Sequence, residues 1–298
     1  MLLPPKPIPD PEPTVAGAAG AISPSSSQLA SIQSPPRIVL SIAGFDPSAG
    51  AGVLADLKTF AAMGVYGMAS ITALTVQSTL GVRKVIGVDP GTVTETLDCL
   101  AEDVRFDAIK VGMLGTAAVA DAVLTWLEAR KDVAVVLDPV IKSSSGKDLL
   151  DADGCGILRG AGLARAGWIT PNLEELAVLG GGSVSANSEE TENSARRLLE
   201  MAARCGNPGL KIVVTGGHAS KPDDLLIGDG ICRWFRGERV ETNSTHGTGC
   251  TFSSALAARV AFGDDACDAV QRAKDYVTGA LRHADRIGTG NGPLGHFW

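Results

Sequence analysis

The feature that most constrains this chain is a regular alternation, from Arg37 onward, of short apolar runs with longer segments of helical period. Strands are predicted at 37–44, 66–77, 108–112, 133–140, 168–170 and 211–217, with a hairpin at 225–235 that turns at 228–230. Helices are predicted at 50–63, 91–103, 116–130, 171–179, 189–204, 248–262 and 265–286. Such alternation is typical of a mainly parallel sheet covered by helices on both faces. The sequence therefore predicts one three-layer α/β/α domain.

The beginning of the chain has a different composition. Nine of the 16 prolines fall within residues 1–36, and the stretch shows no strand or helix period. Closely spaced prolines favour polyproline II and remove the donors that a sheet needs. We predict a disordered Pro/Ala/Ser-rich leader at 1–36 and a folded domain at 37–298. The leader has acidic residues and no arginine, unlike a transit peptide.

Composition argues against several classes of function. The chain has 26 Lys and Arg against 33 Asp and Glu, a net charge of −7, and only 4% aromatic residues. This balance disfavours binding to nucleic acid or to an anionic membrane. No apolar run reaches the ~18 residues of a membrane span. The six cysteines lack metal-ligand spacing and suggest reduced thiols in the cytoplasm.

A glycine-rich loop near the C-terminus carries the strongest local signal. Gly247, Thr248 and Gly249 lead directly into the predicted helix at 248–262. The first N–H groups of a helix lack intrahelical acceptors, and glycines let the backbone close around an anion. The loop is therefore suited to a phosphoryl group during transfer. The alternative is an ordinary glycine-rich turn capped by the threonine.

Cys250 stands in the first turn of the same helix. The positive end of a helix biases a thiol toward the thiolate, which would accept a proton from an attacking hydroxyl. The alternative is a small buried thiol, the commonest environment of a cysteine. Position in the sequence leaves the two interpretations balanced.

Polar residues follow two predicted strands at the edge where ligands bind in parallel sheets. Asp138 ends an apolar strand, and Asn172 and Glu175 follow the next one. Three oxygen ligands near an anion site would suit Mg²⁺. The alternatives are an N-cap for Asn172 and a first-turn acid for Glu175.

A candidate dinucleotide motif, GAGVLA at 50–55, is weak. The strand after it ends in Thr75, Val76 and Gln77, so the acid that a Rossmann site needs is absent. The glycines also lie too far beyond the preceding strand for the tight Rossmann turn. We therefore set a nicotinamide oxidoreductase aside.

Seven motifs together resemble a known family. They are SIAGFDPSAGAGVLADLKTF (41–60), YGMASITALTVQST (66–79), KVGML (110–114), VVLDPV (135–140), ITPNLEE (169–175), GGH (216–218) and STHGTGCTFSSALAA (244–258). In this order they resemble the hydroxymethylpyrimidine/phosphomethylpyrimidine kinases of thiamine biosynthesis, in the ribokinase-like superfamily. The resemblance covers residues 37–298 and leaves only the leader outside.

The resemblance implies an ATP- and Mg²⁺-dependent enzyme, usually a homodimer. It would phosphorylate 4-amino-5-hydroxymethyl-2-methylpyrimidine and then the resulting monophosphate. By resemblance, Cys250 is the base beside an anion hole at 247–249. The implied substrate-binding residues are Gly44, Asp56, Gln77, Met113 and Val140, the implied ATP-binding residues are Asn172, Glu175, Thr215 and Gly217, and the implied Mg²⁺ ligands are Asp138 and Glu175.

Three departures from the family pattern bear on rival interpretations. Ala49 replaces a common glycine, Thr215 replaces a common lysine, and the lysines of segment 142–148 are shifted, so that Lys142 or Lys147 would have to supply the missing charge. Thr215 favours the nearest rival, a pyridoxal/pyridoxine kinase, and leaves open a non-catalytic nucleotide-binding protein. Gln77 favours the aminopyrimidine, because a carboxamide both donates and accepts hydrogen bonds.

Overall fold

The structure is a computed structural model that describes residues 35–185, 187–217 and 222–298. Its described strands form one sheet in the order β3-β2-β1-β4-β5-β6-β7-β8-β9. The strands are β1 (Ile38–Phe45), β2 (Tyr66–Ser78), β3 (Gly81–Gly87), β4 (Ala108–Val111), β5 (Ala134–Leu137), β6 (Trp168–Ile169), β7 (Lys211–Val214), β8 (Asp224–Gly228) and β9 (Ile231–Phe235).

Helices connect most of these strands. They are α1 (Gly52–Ala62), α2 (Pro90–Asp103), α3 (Ala117–Glu128), α4 (Ala152–Ile157), α5 (Leu163–Arg165), α6 (Leu173–Gly180), α7 (Ser188–Arg204), α8 (Thr248–Phe262) and α9 (Ala266–Arg282). A π-helical stretch, Leu158–Gly162, joins α4 to α5. No helix among the described residues is long and apolar enough to cross a membrane.

Strand pairing confirms the predicted mainly parallel sheet. Strands β2, β1, β4, β5, β6 and β7 run parallel to their neighbours. Strand β3 pairs antiparallel with β2, and β8 and β9 add two antiparallel pairs beyond β7. The carboxyl ends of the six parallel strands therefore meet at one edge, where the predicted site residues lie.

Side chains alternate between the two faces of the sheet and confirm the three-layer arrangement. On β1, Leu40 and Ile42 pack into a core that includes α2, α3 and α7. Val39, which is adjacent to Leu40, packs into the opposite core with residues of α1, α8 and α9. Period-two alternation of buried residues is what a sheet covered on both faces requires. Helices α1 and α8 thus lie on the same face, and both begin near the carboxyl end of β1.

Two segments differ from the sequence prediction. Strand β3 was not predicted, because none of its residues is buried and no apolar alternation marks it. Helices α4 and α5 were missed, because four glycines interrupt residues 152–165 and lower their helix propensity. Residues 36–298 form one compact unit. The leader predicted at 1–36 lies outside the described residues, apart from its last two.

Candidate active site

The glycine-rich loop begins α8 with its backbone rather than with a capping side chain. Gly247 is the N-cap, with φ of 85°, and no side chain caps the helix. The Thr248 hydroxyl instead donates to the Thr245 carbonyl, at 2.7 Å. A Cβ at Gly249 would meet no atom within 4 Å. The start of α8 therefore faces open space with its helix dipole, as an anion site requires.

The loop that precedes α8 touches the loop between β1 and α1, here called the first loop, through the backbone. A Cβ at Gly247 would collide with the carbonyl oxygen of Gly50, so only glycine permits this approach. In the same first loop Ala49 has φ of 58°, in the left-handed region. That conformation favours glycine over residues with a side chain. Here the chain accepts the strain of an alanine.

Asp46 organises the first loop. One of its carboxylate oxygens accepts hydrogen bonds from the amide and the hydroxyl of Ser48, at 2.8 and 2.7 Å. The other accepts from the amides of Gly50 (3.2 Å) and Ala51 (2.9 Å), and lies 2.8 Å from Nε2 of His246. Burial alone would raise the pKa of Asp46, but hydrogen bonds from His246 and Ser48 hold it below its ordinary value. Asp46 is therefore an ionised acceptor.

Gln77 lies beside this network at the end of β2. Its terminal amide is 2.9 Å from Nε2 of His246, and its side chain is half-buried. His246 immediately precedes Gly247. The carboxamide singled out from the sequence thus stands next to the anion loop.

Three of the residues predicted to bind the substrate come together nearby. Met113 packs with Ala73 and Leu149, and Val140 packs against this cluster. A Cβ at Gly44 would lie 2.9 Å from the sulfur of Met113. A cavity of about 450 Å³ adjoins the cluster and shares Leu149 as a wall. Gly44, Met113 and Val140 therefore lie close together, beside this cavity rather than lining it.

Asp56, a substrate-binding residue by resemblance, is held by partners within the protein. Its side chain is fully buried, and Nζ of Lys110 lies 3.0 and 2.9 Å from its two oxygens. The hydroxyls of Ser41 (2.6 Å) and Ser254 (2.7 Å) also donate to it. The carboxylate is saturated by these partners. Burial alone would lower the pKa of Lys110, yet Asp56 and other nearby acids raise it, so the lysine stays charged.

Cys250 was left with two balanced interpretations, and its environment favours the buried, neutral thiol. Burial raises the pKa of its thiol to about 12; Lys110 opposes that rise, while Asp138 and Asp56 add to it. The thiol is therefore neutral at rest, and the predicted bias toward thiolate is outweighed. The thiol of Cys250 lies beside Asp138, whose own pKa is raised by burial despite the field of Lys110.

Asp138 and Glu175 are two buried carboxyl groups that repel each other. Burial, and then the charge of Asp138, raises the pKa of Glu175 to about 8. Asn172 and Glu175 form a capping box, each side chain accepting from the other's backbone amide at 2.9 Å. Asn172 thus fulfils the alternative role of N-cap. No group of three or more His, Cys, Asp or Glu residues among the described ranges is arranged to hold a metal ion.

The nucleotide side of the predicted site is more open. Thr215 follows β7, and its amide donates to the Pro171 carbonyl at 3.0 Å, which places it beside Asn172. Gly217 is exposed, and a Cβ at this position would meet no atom within 4 Å. Lys142 and Lys147 are both exposed. His218, of the predicted GGH motif, lies outside the described residues.

Comparison with known proteins then settles the family. Residues 46–295 match the model of the phosphomethylpyrimidine kinase family. The chain belongs to this family. It is 41% identical over 263 residues to the hydroxymethylpyrimidine/phosphomethylpyrimidine kinase of Escherichia coli strain K12, covering 87% of this chain and 96% of the relative. This kinase-family chain is accordingly a phosphotransferase.

Solved structures agree with the fold of this phosphomethylpyrimidine kinase family member. A phosphomethylpyrimidine kinase from Clostridium difficile 630 aligns with a TM-score of 0.70 and 32% identity, covering 82% of this chain and 99% of that chain. An ADP complex of Bacillus subtilis pyridoxal kinase aligns with a TM-score of 0.77 and 29% identity, covering 88% and 97%. The fold is thus the ribokinase-like α/β fold expected from the sequence.

Sequence reasoning missed three residues that the structure brings into this kinase site. Lys110 sits in an apolar strand, and a cation there was the available signal for a buried acidic partner. Asp46 and His246 are 200 residues apart, so no local pattern links them. The remaining predicted site residues are grouped as described, and their roles in binding and catalysis remain predictions.

Proposed function

We propose that this kinase transfers a phosphoryl group from ATP to the hydroxyl of 4-amino-5-hydroxymethyl-2-methylpyrimidine, and then to the monophosphate, in thiamine biosynthesis. One observation carries the proposal: the Gln77 carboxamide is 2.9 Å from His246, which adjoins the anion loop. A group able to pair with an aminopyrimidine edge therefore lies beside the place suited to the transferred phosphoryl group. The open start of α8 leaves room for an alcohol or a phosphate as nucleophile.

The proton of the attacking hydroxyl needs an acceptor near α8. We assign that role to Cys250, at the start of the helix. Because its thiol is neutral, the sulfur gives up its own proton as it receives that of the substrate. Asp138, which lies beside the thiol, is the carboxyl group that would receive it. The new O–P bond then forms as the bond between the γ-phosphorus and the bridging oxygen of ATP breaks.

Two buried carboxyl groups with raised pKa values, Asp138 and Glu175, are a donor set that suits a hard cation. They would hold Mg²⁺, which would supply positive charge against the ATP phosphates. Asn172 supports this arrangement by fixing Glu175 in the capping box. Thr215 and Gly217 would border the nucleotide.

Product analysis by mass spectrometry tests the proposal. Purified protein with Mg²⁺ and ATP is offered the aminopyrimidine alcohol and pyridoxal in separate reactions. We expect mono- and diphosphates of the pyrimidine. Pyridoxal phosphate alone would assign the chain to the second candidate, vitamin B6 kinase, which Thr215 favours. No product in either reaction would leave a nucleotide-binding protein without kinase activity toward these alcohols.

We infer a homodimer in solution from the resemblance to the family. The outer ribbon of β2 and β3 supports this inference, because the cross-strand pair Leu74 and Ile86 is 45% and 44% exposed, and Val76 is also exposed. Contiguous apolar surface of this kind favours association. Light scattering coupled to gel filtration would give twice the chain mass.

We also infer a cytoplasmic location. All six cysteines are free, and Cys99 and Cys205 are among those that are exposed. Exposed free thiols are typical of a reducing compartment. Fractionation of cells that express the full chain would test the inference.

A further inference from the structure

His246 holds two neighbours with a single ring nitrogen. Its Nε2 lies 2.8 Å from a carboxylate oxygen of Asp46 and 2.9 Å from the terminal amide of Gln77. The imidazole packs over Gly50, where any Cβ would collide with the ring. The side chain of Asp46 is only 4% exposed. The ring is therefore fixed in place by packing and by a buried partner.

The chemistry of these groups leaves one consistent arrangement of hydrogens. An ionised carboxylate only accepts, so Nε2 of His246 must carry a hydrogen and donate it to Asp46. The second neighbour of this N–H, the end of the Gln77 side chain, must therefore also be a hydrogen-bond acceptor. Gln77 must then turn its carbonyl oxygen, Oε1, toward the imidazole, although its amide nitrogen is placed there. The two ends of a carboxamide are assigned from their hydrogen-bond network, and this network requires the reverse assignment.

We propose that His246, held by Asp46, is a specificity-determining positioning residue that fixes the orientation of the Gln77 carboxamide. This inference rests on the proposed function. With Oε1 toward His246, the amide N–H groups face the substrate and donate to an unprotonated ring nitrogen. The second lone pair of Oε1 accepts from the exocyclic amine. A 4-oxo pyrimidine presents the opposite pattern, a ring N–H and a carbonyl oxygen, and is rejected because Gln77 cannot turn.

Four proteins test the proposal: the wild type, His246→Leu, His246→Gln and a control, His283→Leu. Gln retains an N–H near the position of Nε2, and His283 is an exposed histidine that stacks on Trp298. The measurement is kcat/KM for the aminopyrimidine alcohol and for its 4-oxo analogue. We expect His246→Leu to reduce the amino-to-oxo preference at least about tenfold, because the carboxamide becomes free to turn. His246→Gln should keep most of the preference, and His283→Leu all of it.

An isosteric second variant protects the test against misfolding or loss of turnover. Asp46→Asn keeps the shape of the side chain but removes its charge, which weakens the hold on the hydrogen at Nε2 of His246; the ring hydrogen can then sit on Nδ1, and Gln77 can donate to Nε2. This variant should also lower the amino-to-oxo preference. Where turnover is too slow to measure, the ratio of the calorimetric affinities for the two pyrimidines gives the preference instead. An unchanged preference in both His246→Leu and Asp46→Asn would overturn the inference. A wild type that phosphorylates pyridoxal but not the aminopyrimidine would instead overturn the proposed function.

Discussion

Two buried carboxylates flank the start of α8, and they differ in how fully they are neutralised. Asp56 accepts from Ser254 of α8 and is paired with Lys110, at 2.9 Å. Asp138 accepts from the adjacent Ser253, at 3.0 Å; it also feels the charge of Lys110, but its own charge raises the pKa of a second buried acid, Glu175. The first group, Asp56 with Lys110, is neutralised within the protein. The second group, Asp138 with Glu175, consists of two acids whose pKa values are both raised. We interpret the first as scaffold and the second as the place where a cation and phosphates complete the charge balance.

Breaking the neutralised group should have the largest effect. Lys110→Met leaves Asp56 buried without its cation and should lower the free energy of unfolding by about 3–5 kcal/mol. Chemical denaturation measures the change. The matched control is Arg37→Met, which removes the exposed ion pair with Asp107 and should cost below about 1 kcal/mol. Similar losses in the two variants would contradict the distinction drawn for Asp56.

The second group should respond in activity rather than in stability. Cys250→Ala removes the sulfur that contacts Asp138 and should lower kcat at least about 100-fold. Affinity for ATP should change little, because the backbone of the anion loop is kept. Steady-state kinetics and nucleotide titration separate the two quantities. A kcat near that of the wild type would remove Cys250 from proton transfer.

Removing the repulsion between Asp138 and Glu175 should raise the stability of the protein and lower its activity. Glu175→Gln keeps the capping box, since glutamine also accepts the Asn172 amide, but removes the charge that faces Asp138. At pH 9, above the raised pKa of about 8, we expect a gain of about 1 kcal/mol without ligand and at least a tenfold loss of kcat. Glu174→Gln, at the exposed neighbouring position, is the control and should do neither. A loss of stability in Glu175→Gln would show that the acid is compensated internally.

A smaller effect should appear at a buried group with incomplete partners in another part of the fold. His296 contacts the Tyr276 hydroxyl through Nδ1 at 3.2 Å, while its Nε2 has no hydrogen-bond partner among the described residues. Burial, and then Lys58, lowers its pKa to about 4 from the ordinary 6.5. Between these values the unfolded chain binds a proton that the folded protein does not, so stability falls as the pH drops.

Replacing that group should flatten the pH dependence. From pH 7.5 to pH 4.5, His296→Gln should lose a few °C less in Tm than the wild type, as measured by calorimetry. The exposed His283→Gln should follow the wild type. Parallel curves for all three proteins would show that His296 does not contribute.

The sequence predicted what repeats locally and missed what depends on distant partners. The alternation of apolar runs was enough for the parallel sheet, and the glycines before α8 were enough for its open start. Strand β3 escaped because it buries none of its residues. The protonation state of Cys250 was left open because the helix start is a local feature, whereas burial and the charges of Asp138 and Asp56 are assembled by the fold.

Residues with two possible roles show a second limit. Asn172 fits both a magnesium-ATP contact and an N-cap by sequence, and only coordinates show that its oxygen accepts the Glu175 amide. Asp56 lies in the middle of a helix, and the sequence does not show that Lys110 of a neighbouring strand contacts it. The sequence indicated that these two residues belong to the site, but it did not indicate which groups their side chains contact.

The backbone contact between Gly50 and Gly247 has a consequence for the order of events during protein synthesis. The ribosome makes the first loop early, and nearly two hundred further residues must emerge before its counterpart exists. Until then Asp46 has no His246 to hold, and the loop lacks the surface against which it is shaped. A nascent or truncated chain that ends before α8 therefore has no assembled centre, and catalytic competence arrives only with the last sixth of the polypeptide.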